Sequence, residues 1–116
     1  MSQAPGVAVV SEQRESISRA EILIRIKRLL AGISGLEPAE VTADQHLAKD
    51  PLNYTSVSKL ALAKRLVEEF ADFPLEISPS ETAACEVVRD LRLLVELKLR
   101  KAGVNVAGVR IFGGLQ

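Results

Sequence analysis

The stretch Thr55-Ser56-Val57-Ser58-Lys59-Leu60-Ala61-Leu62-Ala63-Lys64-Arg65-Leu66-Val67-Glu68-Glu69-Phe70 decides how this chain folds. Apolar residues return every three or four positions, no Gly or Pro interrupts them, and hydroxyl side chains stand at the start. That is the pattern of an amphipathic helix with its own N-cap, running from Thr55 or Ser56 to about Phe70. Val57, Leu60, Ala63 or Lys64, Val67 and Phe70 are its expected inner edge.

Upstream, residues 36–54 contain Pro38, Pro51 and Asn53 and show no sustained period. Such a loop is longer than most connections in a compact domain. Its spaced apolar residues (Leu36, Val41, Leu47, Leu52) predict a loop tacked onto a core. Before it, Ser18-Arg19-Ala20-Glu21 is a capping box. Ile22, Ile26, Leu29, Leu30 and Ile33 follow at helical spacing, and Gly32 and Gly35 weaken and end that helix. Downstream, a turn through Asp72 and Pro74 leads to the extended Leu75-Glu76-Ile77. Ser78-Pro79-Ser80-Glu81 then opens a short helical turn. A last helix is expected over 86–101, with Val87, Val88, Leu91, Leu94 and Val95 inward and Leu93, Leu97 and Leu99 partly off that stripe.

Helices this short need one another's apolar faces. The fold expected is therefore all-α, a small bundle of three to four helices with a long loop between the first two. Residues 1–17 read as a flexible leader, 18–102 as the bundle, and 103–116, with four glycines and alternating valines, as an extension.

The chain has 116 residues, 47% hydrophobic and 26% charged, enough for one modest core. Fifteen basic residues balance fifteen acidic ones, so no global basic field exists to hold a nucleic-acid backbone. No apolar run reaches the roughly 18 residues of a membrane span, and no basic segment precedes the apolar stretch of residues 1–10. A cytoplasmic protein is expected. Cys85 is the only cysteine and His46 the only histidine. His46 reads as a solvated loop side chain and Cys85 as a small buried hydrophobe. Glu68 and Glu69 are adjacent, so they diverge on a helix. With no P-loop, GxGxxG or HExxH pattern, the chain is expected to be no enzyme.

Ser56 is what remains. It stands where the long loop meets the second helix. Either Thr55 or Ser56 can serve as a simple N-cap, worth about 1 kcal/mol. Alternatively the Ser56 hydroxyl is an attachment point, since a helix N-terminus favours an added phosphate.

Over residues 20–100 the pattern resembles an acyl carrier protein, or more broadly a phosphopantetheine carrier domain. Leu36-Glu37-Pro38-Ala39-Glu40-Val41 looks like the family's loop start after its first helix. Thr55-Ser56-Val57-Ser58 occupies the place of its Asp-Ser-Leu motif, and Leu60, Leu62, Leu66 and Glu68-Glu69-Phe70 follow in its second-helix register. Leu75-Glu76-Ile77 and Val87-Val88-Arg89-Asp90 resemble its later extended segment and the start of its last helix. The resemblance implies 4'-phosphopantetheine on Ser56, attached from coenzyme A by a phosphopantetheinyl transferase, with acyl or aminoacyl groups carried as thioesters. Ser58 is the fallback attachment residue. Tyr54, Thr55, Val57, Lys59 and Lys64 become candidate contacts for acyl-loading, condensing or transferring partner enzymes.

Thr55 stands where the family usually has Asp, Asn53 where it has Gly, and the segment before them is about two residues longer. From Ser56 to Phe70, Lys59, Lys64 and Arg65 outweigh Glu68 and Glu69, a balance of +1. Fatty-acid-type carriers dock through a strongly acidic second helix, so this balance implies dedicated partners, as in polyketide, peptide or other specialised pathways. The rival expectation is a carrier-like bundle without the arm, serving as a protein–protein interaction module. A monomer is expected, with the extra apolar surface of the last helix suited to weak self-association.

Overall fold

The computed structural model describes residues 15–107. The expectations for residues 1–14 and 108–116 lie outside that range. Within it stand two short strands and four α-helices: β1 (Ser16–Ser18), α1 (Arg19–Ser34), α2 (Ser56–Glu69), α3 (Pro79–Ala83), α4 (Val88–Lys101) and β2 (Asn105–Ala107), with a 3-10 turn at Pro38–Glu40.

The helix ends follow local chemistry. The Ser18 hydroxyl accepts from the Glu21 N–H at 3.0 Å, filling a donor that has no carbonyl partner inside the helix. Gly35 closes α1 with φ +72°, a left-handed conformation that glycine adopts without a Cβ clash. The Ser78 N–H donates to the Glu81 carboxylate at 2.9 Å, with Pro79 in the first turn. Before α4, the Asp90 carboxylate accepts from the Glu86 and Val87 N–H groups at 2.9 and 3.1 Å.

Ile22, Ile26 and Leu30 of α1, Leu62, Leu66 and Phe70 of or just beyond α2, and Val88, Leu91, Val95 and Leu99 of α4 form one core. Full burial of such side chains contributes about 1.5–3 kcal/mol each. The inner edge of α2 is in part a correction to the sequence reading, since of the residues expected there Ala63 and Phe70 are buried. Leu62, Ala63 and Leu66 point inward, while Val57 is 74% exposed and Leu60 42%. Apolar residues at helical spacing lie on more than one side of this helix, and α1 and α3 select the side that is buried. The Thr82 hydroxyl of α3, fully buried, donates to the Lys59 carbonyl at 2.7 Å and fixes that rotation.

On α4, Leu99 is buried although the pattern set it off the stripe, and Glu96, only 2% exposed, lies inside. Glu96 meets Arg19 at 3.1 Å and also pairs with Arg92. The helix starts at Val88, two residues later than expected, because Glu86 and Val87 have other partners. The Glu86 carbonyl accepts from Leu47 at 2.8 Å, and Val87 bridges antiparallel to His46.

The loop over 36–55 is tacked down as its composition predicts. Val41, Leu47 and Leu52 are buried. Val88 and Arg89 donate backbone N–H groups to the carbonyls of Gln45 and Ala43. The ends of the bundle reach further than 18–102. Ser16–Ser18 lies parallel to Asn105–Ala107, with Ile17 opposite Val106, and both apolar residues are buried.

Away from the core, Lys98 of α4 reaches Glu81 of α3 at 2.6 Å. That bond and the Ser78 N–H hold the Glu81 carboxyl at about 2, below its ordinary 4.5. A depressed folded-state value stabilises the fold above the unfolded value and is lost as pH falls through the folded one. The acid limb of the stability profile is therefore expected to slope between pH 4.5 and about 2. In Glu81→Gln, melting temperatures across that range should flatten and the advantage at neutral pH should vanish; an unchanged slope would refute the assignment.

Candidate functional site

The first turn of α2 is built by the residues just before it. Asn53 has φ +54°, a left-handed conformation that Asn tolerates better than most residues, and its amide donates to Asp50 at 2.6 Å. Tyr54 follows with its ring inside. Its phenol donates to the Leu30 carbonyl at 3.2 Å, and its N–H to Leu47 at 2.7 Å. These bonds aim the chain into the helix.

Thr55 is the N-cap. Its Oγ1 accepts from the Ser58 N–H at 3.1 Å and lies 3.1 Å from the Ser58 hydroxyl. The choice left open by the sequence between Thr55 and Ser56 is thus resolved at the level of capping. Ser56 is the first helical residue, its side chain exposed and not needed as the cap. The first turn carries no acidic residue, so nothing offsets the positive end of the helix dipole there. An anion joined to this hydroxyl would sit against unsatisfied N–H groups.

The other expected contacts divide. Thr55, Val57 and Lys64 are exposed beside Ser56 or one to two turns along, and Lys59 is half-buried. Tyr54 is 5% exposed and its ring belongs to the core. Ser58 is half-buried and engaged with Thr55, which leaves it less accessible than Ser56.

No protein-family model and no curated protein matches the chain.

The remaining candidates are structural. His46 is exposed, and the bridge it joins is made by backbone atoms. Cys85 is buried, and its thiol lies 3.5 Å from the Glu81 carbonyl. Burial, aided by the Asp90 charge, raises that thiol to about 11, which keeps it protonated and unreactive near neutral pH. Among the described residues no group of three His, Cys, Asp or Glu side chains could hold a metal ion. No helix among them is long and apolar enough to cross a membrane.

Two ionic clusters escaped the sequence reading. Arg25 spans α1 and the turn after α2, reaching Asp72 at 2.8 and 2.9 Å, Glu21 at 2.8 Å and the Glu69 carbonyl at 3.3 Å. The second is Glu96 with Arg19 and Arg92. In each, one member of a visible i,i+4 pair (Glu21 with Arg25, Arg92 with Glu96) has a further partner far away in sequence, which no local pattern announces.

Proposed function

We propose that this protein is an acyl or aminoacyl carrier, bearing its intermediates as thioesters on a 4'-phosphopantetheine arm at Ser56. The observation that carries the reading is an exposed serine hydroxyl, free of capping duty, at the positive end of α2 and directly after a long pinned loop. The order of long helix, long loop, helix, short helix and last helix fits the resemblance seen in sequence. In the attachment step the Ser56 Oγ attacks the pantetheine-side phosphorus of coenzyme A. A P–O ester bond forms, the anhydride bond breaks, adenosine 3',5'-bisphosphate leaves, and the serine proton goes to the transferase's base. The chain then needs no catalytic residues of its own, because loading, condensing or transferring enzymes act on the arm. The basic balance of α2 favours partners with acidic docking surfaces, hence a specialised pathway.

A second reading, an armless interaction module, draws support from Thr55 in place of Asp and from Leu93 and Leu97, 48% and 53% exposed on α4. Incubation with coenzyme A and a broad-specificity phosphopantetheinyl transferase, or the native one, separates the two by intact mass. The carrier gains one phosphopantetheine, the gain disappears in Ser56→Ala, and it persists in Ser58→Ala. No adduct with either transferase favours the module.

A further inference from the structure

The outward face of α4 carries two leucines that the fold leaves uncovered. Leu93 is 48% and Leu97 53% exposed, while Leu91, Val95 and Leu99 on the opposite side are buried. Four residues apart, the two stand about 40° from each other around the helix and about 6 Å along it, so they form one patch.

Charge says what suits that patch, because the face is polarised from end to end. Glu86, just ahead of α4, is exposed, and Asp90 lies in the first turn. Arg89 beside them is paired with Asp44, so this end keeps a negative balance. Arg100 and Lys101 in the last turn are exposed and make no ion pair among the described residues. Lys98 is occupied by Glu81 and adds little. These charges also complement the dipole of α4 itself, but that accounts for neither leucine. The groups are spaced evenly about Val95. Leu93 and Leu97 stand two positions to either side of it, and Asp90 and Arg100 five. Such a face is complementary to itself once turned end for end. A second copy set antiparallel about a two-fold axis opposite Val95 gathers the four leucines at the centre. It also sets the acidic start of each helix against the basic end of the other, whereas a parallel copy would set like charges side by side.

We propose that the outward face of α4 is a self-association surface, on which a second copy of this chain packs antiparallel through Leu93 and Leu97. This goes beyond the carrier reading and is independent of it, since neither the arm nor the Ser56 hydroxyl takes part. The contact is small. A 14-residue helix is about 21 Å long, too short to bury the roughly 1,200–2,000 Å² of a stable interface by itself. The association is therefore weak and reversible, with a Kd of about 0.1–1 mM.

The test is sedimentation equilibrium of the full chain from about 20 μM to about 1 mM. A reversible monomer–dimer equilibrium is expected, with amide NMR shifts at Leu93, Leu97 and Lys101 that move with concentration. Leu97→Ser should raise Kd about tenfold or more, since the two-fold axis counts each lost contact twice. Lys101→Glu should raise it about threefold to tenfold, with the difference shrinking as salt is added. Both positions are exposed, and a thermal melt confirms that each variant folds. A chain still monomeric at about 1 mM overturns the proposal. In that event, shifts of Leu93 and Leu97 caused by Phe112→Ala would give the face to the chain's own residues 108–116. A dimer that Leu97→Ser leaves intact lies elsewhere on the surface, and one indifferent to Lys101→Glu is not antiparallel. Either result overturns the proposal as well.

Discussion

Phe70→Ala is expected to lower stability by about 3–5 kcal/mol, the range for truncating a buried phenylalanine. Phe70 is fully buried and joins α2 to the core, and the Arg25 guanidinium carbon lies 5.2 Å from its ring centroid. Removing the ring deletes its buried apolar contacts and leaves a cavity that the helices can only partly fill. It also strips a cation–π partner from Arg25. For a domain of this size the melting temperature should fall on the order of 20 °C, enough to leave a marginal protein partly unfolded at 37 °C. Urea denaturation measures the effect directly. A loss below 1 kcal/mol would mean that the ring is not packed as described.

Arg25→Met is expected to cost about 2–3 kcal/mol, chiefly through charge-assisted hydrogen bonds. Methionine keeps much of the apolar stem, so packing changes little. What disappears is the pair of hydrogen bonds to Asp72, which ties α1 to the turn following α2, and the hydrogen bond to Glu21 within α1. The Arg25 side chain is 13% exposed, so salt should screen the loss far less than it would a surface pair. The same bonds hold the guanidinium pKa above its ordinary value, the Asp72 hydrogen bond being the largest influence. A double-mutant cycle with Asp72→Asn should return a coupling of about 1 kcal/mol or more; additive losses would show that the two residues act separately. Arg25→Lys should recover little, because an ammonium cannot form the paired fork.

Local signals announced the helix boundaries well. Ser18, Gly35 and Ser78 act through chemistry confined to a few residues, and each stands where its pattern set it. The loop was legible for a related reason: Val41, Leu47 and Leu52 are too apolar to be left in water. Rotation was not legible. Val57, Leu60 and Val67 recur at helical spacing as Leu62 and Leu66 do, Phe70 is inward on either reading, and only the packing of α1 and α3 chooses between them. Burial of Glu96 was hidden because, besides its local partner Arg92, it needs Arg19, which lies 77 positions away. Ser56 was singled out by its place at the end of the loop. Its freedom from capping depended on a contest with Thr55 that spacing leaves open.

The pairing of β1 with β2 has a mechanical consequence. The strands are parallel, with Ser16 opposite Asn105 and Ser18 opposite Ala107. A pull on the chain ahead of Glu15 draws β1 toward its beginning, while a pull beyond Ala107 draws β2 toward its end. The two strands would slide past each other, so their hydrogen bonds are strained together and not peeled one by one. Tension arriving through both ends of the chain is thus borne by this short clasp in shear before it reaches the helices and the first turn of α2.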